Sequence, residues 1–295
     1  MKKRLPVAIV VALLVFAVLP WLGALAWWLD MLNHFRPQLA AGALVAALGV
    51  MVWVRRPWVA VALLAPALLI GPALPVMFGR GSTSTANRVV HVNVGGCAPA
   101  DVSGWLETVD ADAAFLLEVR PESPLATTPP AGWRFALQRP SPDTRGLIVL
   151  VPEATMHLAT VQSFTVPGTT RDMAVVHLQR GPVMQVHLAR PGTSVGFAEQ
   201  RAMSAAVAEW VETQEQRVEL VGDFNAAPWS AAVAPLRDVG LRPAAGSIAG
   251  TWPASLPPGL RVPIDHAFGN SSGTTVTIGP DLGGDHRPIL VDIGE

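Results

Sequence analysis

The chain has 295 residues, of which 51% are hydrophobic and only 15% charged, with 21 Lys and Arg against 22 Asp and Glu. Soluble domains usually carry about 25% charge, so part of this chain is suited to a non-aqueous setting. A single Cys excludes an internal disulfide framework and a Cys-pair zinc site.

Charge divides the chain. Residues 1–80 carry seven Lys and Arg and one acid, Asp30, whereas residues 81–295 carry fourteen Arg, no Lys and 21 acids. The acidic character of the larger part argues against gripping nucleic acid through non-specific charge. Within the first part, residues 6–28, 37–54 and 57–79 form apolar runs without a charged residue. Each is about long enough to cross the hydrocarbon core as a helix. Pro66, Pro72 and Pro75 interrupt the third, which predicts a bend. Lys2, Lys3, Arg4 and the Arg55-Arg56 pair should stay in the cytoplasm, and the less basic 30–36 loop should lie outside. Three crossings then put the rest of the chain on the extracytoplasmic face of a cell (inner) membrane. No polar residue lies deep in a span as a transport path requires, so residues 1–80 read as an anchor in the lipid bilayer.

A Gly/Ser/Thr-rich stretch within residues 81–88 reads as a linker. Short apolar runs suited to strands follow at 89–94, 113–119, 146–151, 173–178, 183–188, 218–221, 264–268 and 289–293. Residues 197–216, with Met203, Val207, Trp210 and Val211 on one face, predict a helix, and 100–108 a shorter one. Mixed strands and helices over 89–295 predict one α/β or α+β domain.

Several of these runs end in polar residues. Asn93 closes the first and Glu118 sits inside the second among Phe115, Leu116, Leu117 and Val119. His187 ends another, and residues 218–225 run a strand into Gly222-Asp223-Phe224-Asn225. Asp265-His266 and Asp285-His286-Arg287-Pro288 each set an acid beside a His. Ionised carboxylates are rarely buried without a partner or a metal. Several converging from separate strand ends make an oxygen-rich cage suited to magnesium, manganese or calcium. His91, His177 and His266 read as structural, Trp252 as a packing anchor and Cys97 as a small buried residue.

Taken in order, Asn93-Val94, Leu117-Glu118-Val119, His187 with Pro191, Gly222-Asp223-Phe224-Asn225 with Pro228, Ile264-Asp265-His266 and Asp285-His286-Arg287-Pro288 resemble the endonuclease/exonuclease/phosphatase family, the deoxyribonuclease-I-like superfamily. The apolar N-terminal part resembles that family's membrane-anchored bacterial branch. The resemblance implies a four-layer α/β/β/α sandwich and a phosphoesterase dependent on Mg2+ or Mn2+. It makes Asn93, Glu118 and Asp285 metal-site residues. Asp223 would position or activate the attacking water, with Asn225 orienting it. His286, held by Asp265, would contact the scissile phosphate, and His187 would contact phosphate or assist the leaving group. The chain departs from the pattern at Leu117, where the family usually has Gln, and at Gly95-Gly96-Cys97, where it often has a second Asn. The absence of Tyr counts against the apurinic-site nucleases within the family.

The substrate stays open between nucleic acid, lipid and small phosphoesters, because fold does not fix substrate. The alternative function is a catalytically silent phosphoester- or lipid-binding module on the same fold. The sequence offers no evidence for a protein partner.

Overall fold

The computed structural model describes residues 5–294 except 79–84, 168, 170, 180 and 272. The Lys2-Lys3-Arg4 cluster and the first half of the expected linker lie outside the described residues.

Helix α1 (Leu5–Val18) runs on as a 3-10 stretch, Leu19–Leu25. Ala26 is extended and breaks it, so Trp27 and Trp28 open a separate short helix, α2 (Trp27–His34), instead of ending the first apolar run. Helix α3 (Arg36–Val54) follows, closed by Arg55 in a left-handed conformation. The third apolar stretch alternates between 3-10 turns and two short helices, α4 (Leu64–Ile70) and α5 (Leu74–Met77). Pro57, Pro72 and Pro75 stand at the first turns of its pieces, where a missing N–H costs nothing. Leu5–Leu25, Arg36–Val54 and Pro57–Met77 are each long and apolar enough to span a membrane. They meet through small side chains, among them Ala17, Ala40, Ala43 and Ala65, which let backbones approach closely.

After these helices, twelve strands among the described residues form two six-stranded mixed sheets. The first sheet is built from β1 (Thr85–Asn93), β2 (Ala113–Leu117), β3 (Trp133–Arg139) and β4 (Leu147–Pro152). The second is built mainly from β5 (Thr160–Thr165), β6 (Asp172–Leu178), β7 (Gly181–His187), β8 (Glu219–Asp223), β9 (Arg242–Pro243) and β10 (Asp265–Gly269). The chain then returns to the first sheet with β11 (Thr275–Ile278) and β12 (Ile289–Gly294), giving the orders β11-β12-β1-β2-β4-β3 and β5-β6-β7-β8-β10-β9. Because β1 begins at Thr85 and pairs with β12 from there, the second half of the expected linker is strand.

Side-chain alternation sorts each strand into two faces. Val89, Phe115, Leu117, Val149, Val183, Val221, Ala267 and Val291 point between the sheets and form their shared core. On the outer face of the first sheet, Val90, Val92 and Leu116 pack against Val102 and Leu106 of α6 (Pro99–Leu106). On the outer face of the second, Met184, Leu220 and Phe268 pack against Phe197, Met203 and Val207 of α7 (Ser194–Glu212) and Leu236 of α8 (Ala234–Asp238). These are the four expected layers.

Candidate active site

The polar residues collect where the inter-sheet core meets solvent. His187, Asp223 and Asp265 lie abreast on β7, β8 and β10, as register partners of one another. Across the gap, Asn93 ends β1 opposite Leu117, and Glu118 is the residue after β2. Asp285 and His286 arrive on the loop before β12. Asn225 follows two residues after Asp223, so all eight residues singled out in the sequence come to one end of the sandwich.

Two of them have backbones that side chains rarely adopt. Glu118 has φ 59° and Asn225 has φ 47°, both left-handed. Such conformations cost about 1–3 kcal/mol each and persist where surrounding structure enforces them, commonly at functional sites. Each turns the chain at a strand end and holds its side chain in the cleft. Gly222 leads into this turn because a Cβ there would collide with the Val186 backbone of the neighbouring strand.

One group is an oxygen cradle. A Cβ built on Gly95 would lie 3.0 Å from Glu118 Oε2, 3.2 Å from Asn93 Oδ1 and 3.3 Å from Asp285 Oδ1. Three oxygens from three segments therefore face one small volume that only a glycine leaves open. Asn93 is fixed with its oxygen toward this volume: Nδ2 donates to Glu118 Oε1 at 3.2 Å and Asp223 Oδ2 at 3.4 Å. The donors are hard oxygens, two of them carboxylate, as Mg2+ or Mn2+ requires. The cradle therefore fits such an ion.

The other group is a chain of acids and imidazoles. His286 Nδ1 is 2.8 Å from Asp265 Oδ2, and Asp265 Oδ1 is 3.1 Å from His91 Nε2. His286 Nε2 reaches to 4.0 Å from Asp223 Oδ2, and His187 Nε2 to 3.9 Å from the same oxygen. The Asn225 backbone donates to Asp223 Oδ1 at 2.8 Å, and its side chain donates to Leu188 O at 3.0 Å. Arg190 Nη2 stands 3.4 Å from Glu118 Oε1 at the solvent edge.

Burial and neighbouring charge set the protonation of this group. Burial, with the Asp265 charge, pushes the Asp223 carboxyl up to about 7. Burial alone would raise Asp265 too, but His286 and His91 hold its carboxyl far below the usual range. Burial works to lower His286, yet the charge and hydrogen bond of Asp265 raise it to about 10. Burial, helped by the charge of Arg171, takes His187 well below its ordinary value. One imidazole is thus held cationic and the other neutral. Among the described residues, Glu118 with His187 and Asp223, and Asp223 with Asp265 and His286, are each close enough to share an ion. The second set is the poorer ligand, since Asp265 is engaged by two imidazoles and His286 carries a proton.

His91, read as structural from sequence, is a partner of Asp265. Strand alternation could have found it, because His91 and Asn93 are two residues apart and share a face. His266 does point away: it stacks on Phe224 at 4.3 Å and lies 2.8 Å from Ala226 O. Cys97 is half-buried beside the cradle loop, not buried, and burial pushes its thiol up to about 11. Trp252 lies at the rim of the site, 37% exposed, beside a cavity that also reaches His286.

The family model of the endonuclease/exonuclease/phosphatase family matches residues 19–286, and the chain belongs to that family. It is a hydrolase of phosphoester bonds, in a family whose enzymes generally depend on divalent metal ions. Solved structures of similar fold include a conserved protein of unknown function from Enterococcus faecalis, 17% identical, with a TM-score of 0.51 over 70% of this chain and 100% of that one. A mannosyl-6-phosphatase from Bacteroides thetaiotaomicron is 14% identical, with a TM-score of 0.52 over 71% and 100%. An AP endonuclease from Archaeoglobus fulgidus is 13% identical, with a TM-score of 0.52 over 70% and 99%. These likenesses speak for the fold. No curated protein matches the sequence.

Proposed function

We propose that the chain is a membrane-tethered phosphoesterase, dependent on Mg2+ or Mn2+, whose catalytic domain works outside the cytoplasm. The observation that carries this reading is the oxygen cradle at Gly95 lying next to the Asp223-centred chain of acids and imidazoles.

Asn93, Glu118 and Asp285 would hold the ion, which supplies Lewis-acid polarisation of a phosphoryl oxygen when bound. Asp223 is the residue to orient the attacking water and accept its proton, since its Oδ2 faces the cleft between the two imidazoles. Asn225 gives one N–H to Leu188 and keeps its other N–H and its oxygen for that water and a phosphate oxygen. His286, oriented by Asp265, presents its Nε2 proton to the charge that builds on the phosphoryl group. His187, neutral and buried, is placed to contact phosphate or the leaving oxygen.

The tether reading is supported by where the anchor meets the domain. Asp30 and Asn33 of α2, between the first two apolar helices, bond to Trp229, Ser230 and Ala231. Arg55 and Arg56 lie at the other end of α3. If that basic pair stays in the cytoplasm, the domain sits on the opposite face. Alkaline phosphatase fused after Gly81 should then be active and a cytoplasm-only reporter there silent; the reverse pattern overturns the orientation. For the chemistry, the full chain in detergent should hydrolyse members of a panel of nucleic acid, lipid and small phosphoesters, and chelation should stop it. Hydrolysis that survives complete chelation would remove the ion from the reading.

A further inference from the structure

The anchor does more than touch the domain. Asp30, 2% exposed, accepts from the backbone N–H of Ala231 at 2.8 Å and Ala232 at 3.3 Å, and from the Ser230 hydroxyl. Asn33 O accepts from Trp229 Nε1 at 2.6 Å, and Asn33 Nδ2 donates to Asp30 Oδ1 at 2.7 Å. Gln38 donates to Arg261 O at 2.9 Å and Gly259 O at 3.2 Å on the far side of the same contact. Gly23 is required for it, because a Cβ there would lie 2.6 Å from Asp30 Oδ1. The segment held in this way, 229–232, follows directly on the turn that carries Asp223 and Asn225. A buried acid satisfied by four donors, three of them from the domain, is a fixed joint rather than a loose tether.

The joint leaves a cavity of about 240 Å³ between α2 and the candidate active site. Its lining includes His286 and Asn225, which face the reacting phosphate in the proposed mechanism. The walls are largely apolar: Met31 and Phe35 from the anchor side, Trp252 and Ile264 from the domain. Phe35 and Trp252 are 39% and 37% exposed, so the chain itself leaves both rings partly uncovered. Arg190, also at the rim, adds a positive charge near the phosphate end. Exposed Trp21 and Trp28 flank the break between α1 and α2, and indoles are the side chains that favour a bilayer interface.

We propose that Met31 and Phe35 form a substrate wall, so that the anchor completes the site and selects phosphoesters carrying an apolar chain, as presented by a lipid at the membrane surface. This rests on the phosphoesterase reading and adds the substrate class. A phosphate held by His286 leaves its substituent to run along the α2 side, where each buried methylene contributes about 0.8 kcal/mol, or about fourfold in binding. A soluble phosphoester of equal charge would leave the walls wet.

The test uses the full chain in detergent with Mg2+ and two probe series, alkyl phosphates and alkyl p-nitrophenyl phosphates, with methyl, hexyl and dodecyl chains. In at least one series, the hexyl-to-methyl ratio of kcat/KM should be about tenfold or more. The double variant Met31→Gln/Phe35→Gln should bring that ratio to about twofold or less, and Met31→Leu/Phe35→Leu should keep it. Cleavage without chain-length preference, or a preference untouched by the Gln variant, overturns this inference alone. Cleavage of neither series by a wild type that hydrolyses another member of the phosphoester panel also overturns this inference alone, whereas hydrolysis of nothing in that panel overturns the phosphoesterase reading and this inference with it.

Discussion

Asp223 and Asp265 are register partners on adjacent antiparallel strands, both buried, and their carboxyls are driven in opposite directions. Asp265 spends its two oxygens on His286 and His91 and stays ionised, whereas Asp223, desolvated beside that charge, rises to about 7. Two like groups with divergent environments are how one site assigns a proton acceptor and a fixed counter-charge. In the proposed mechanism Asp265 is therefore the partner that positions His286, and Asp223 the proton acceptor.

The first prediction tests that division. His286 is held up at about 10 by Asp265 against the burial that would lower it. Asp265→Asn leaves the burial and removes the counter-charge, so the imidazole loses its proton at lower pH. The alkaline fall in kcat should therefore move from near pH 10 toward neutrality, with activity at pH 8 lower by about 10²-fold. A pH–rate profile of the full chain measures it. A variant profile that overlays the wild type would free His286 from Asp265.

The second prediction concerns the cradle. Gly95→Ala puts a Cβ 3.0–3.3 Å from the oxygens of Glu118, Asn93 and Asp285, tighter than side chains comfortably allow. The cradle must open by a few tenths of an ångström, while the fold is left intact. Mn2+ binding followed by electron paramagnetic resonance should weaken by about tenfold, and by more in Glu118→Gln. Unchanged Mn2+ affinity in both variants would move the ion elsewhere.

How much of this was visible in the chain depends on burial. The eight strands read from apolar runs are the eight interior strands of the two sheets, and the four that were not, β3, β5, β9 and β11, are the four edges. An interior strand buried on both faces is a continuous apolar run, as in β2 and β4. An edge strand such as β5, with Thr160, Gln162 and Ser163 facing water, carries little periodic signal. The candidate site, as a cluster, was legible for a related reason: a carboxylate among aliphatic residues, as at Glu118, stands out against its neighbours. The partner of His91 was not: strand alternation puts His91 on the same face as Asn93, but only the packing of the first sheet on the second brings it to Asp265. Nor was α2, since Asp30 in a short polar interval between two apolar runs looks like any loop acid until Ser230 and Ala231 are seen to bind it.

The third prediction lies away from the site. Glu219 is buried on β8, accepts from Thr274 Oγ1 at 3.2 Å, and is pushed by burial from 4.5 up to about 7. Between those values the folded chain keeps a proton that the unfolded chain has lost. Stability should therefore fall as pH rises through that window, by an amount on the order of 3 kcal/mol at most. Glu219→Gln keeps the shape and removes the titration, so its thermal midpoint should change less between pH 5 and pH 7.5 than that of the wild type. Equal shifts in the two proteins would show that Glu219 does not titrate there.

Asp223 Oδ2 and His286 Nε2 lie 4.0 Å apart, close enough for both to act on one water and phosphoryl group proposed to sit against them. Interactions made there are stronger in the transition state than with bound substrate, so losing one should lower kcat more than it raises KM. The decisive measurement is steady-state hydrolysis by the full chain, with Asp223→Asn and His286→Ala compared with wild type on the phosphoester it cleaves best. Each variant should fold and bind substrate, and each should lose about 10²–10⁴-fold in kcat. Hydrolysis at the wild-type rate by both variants would contradict the assignment of the chemistry to this site.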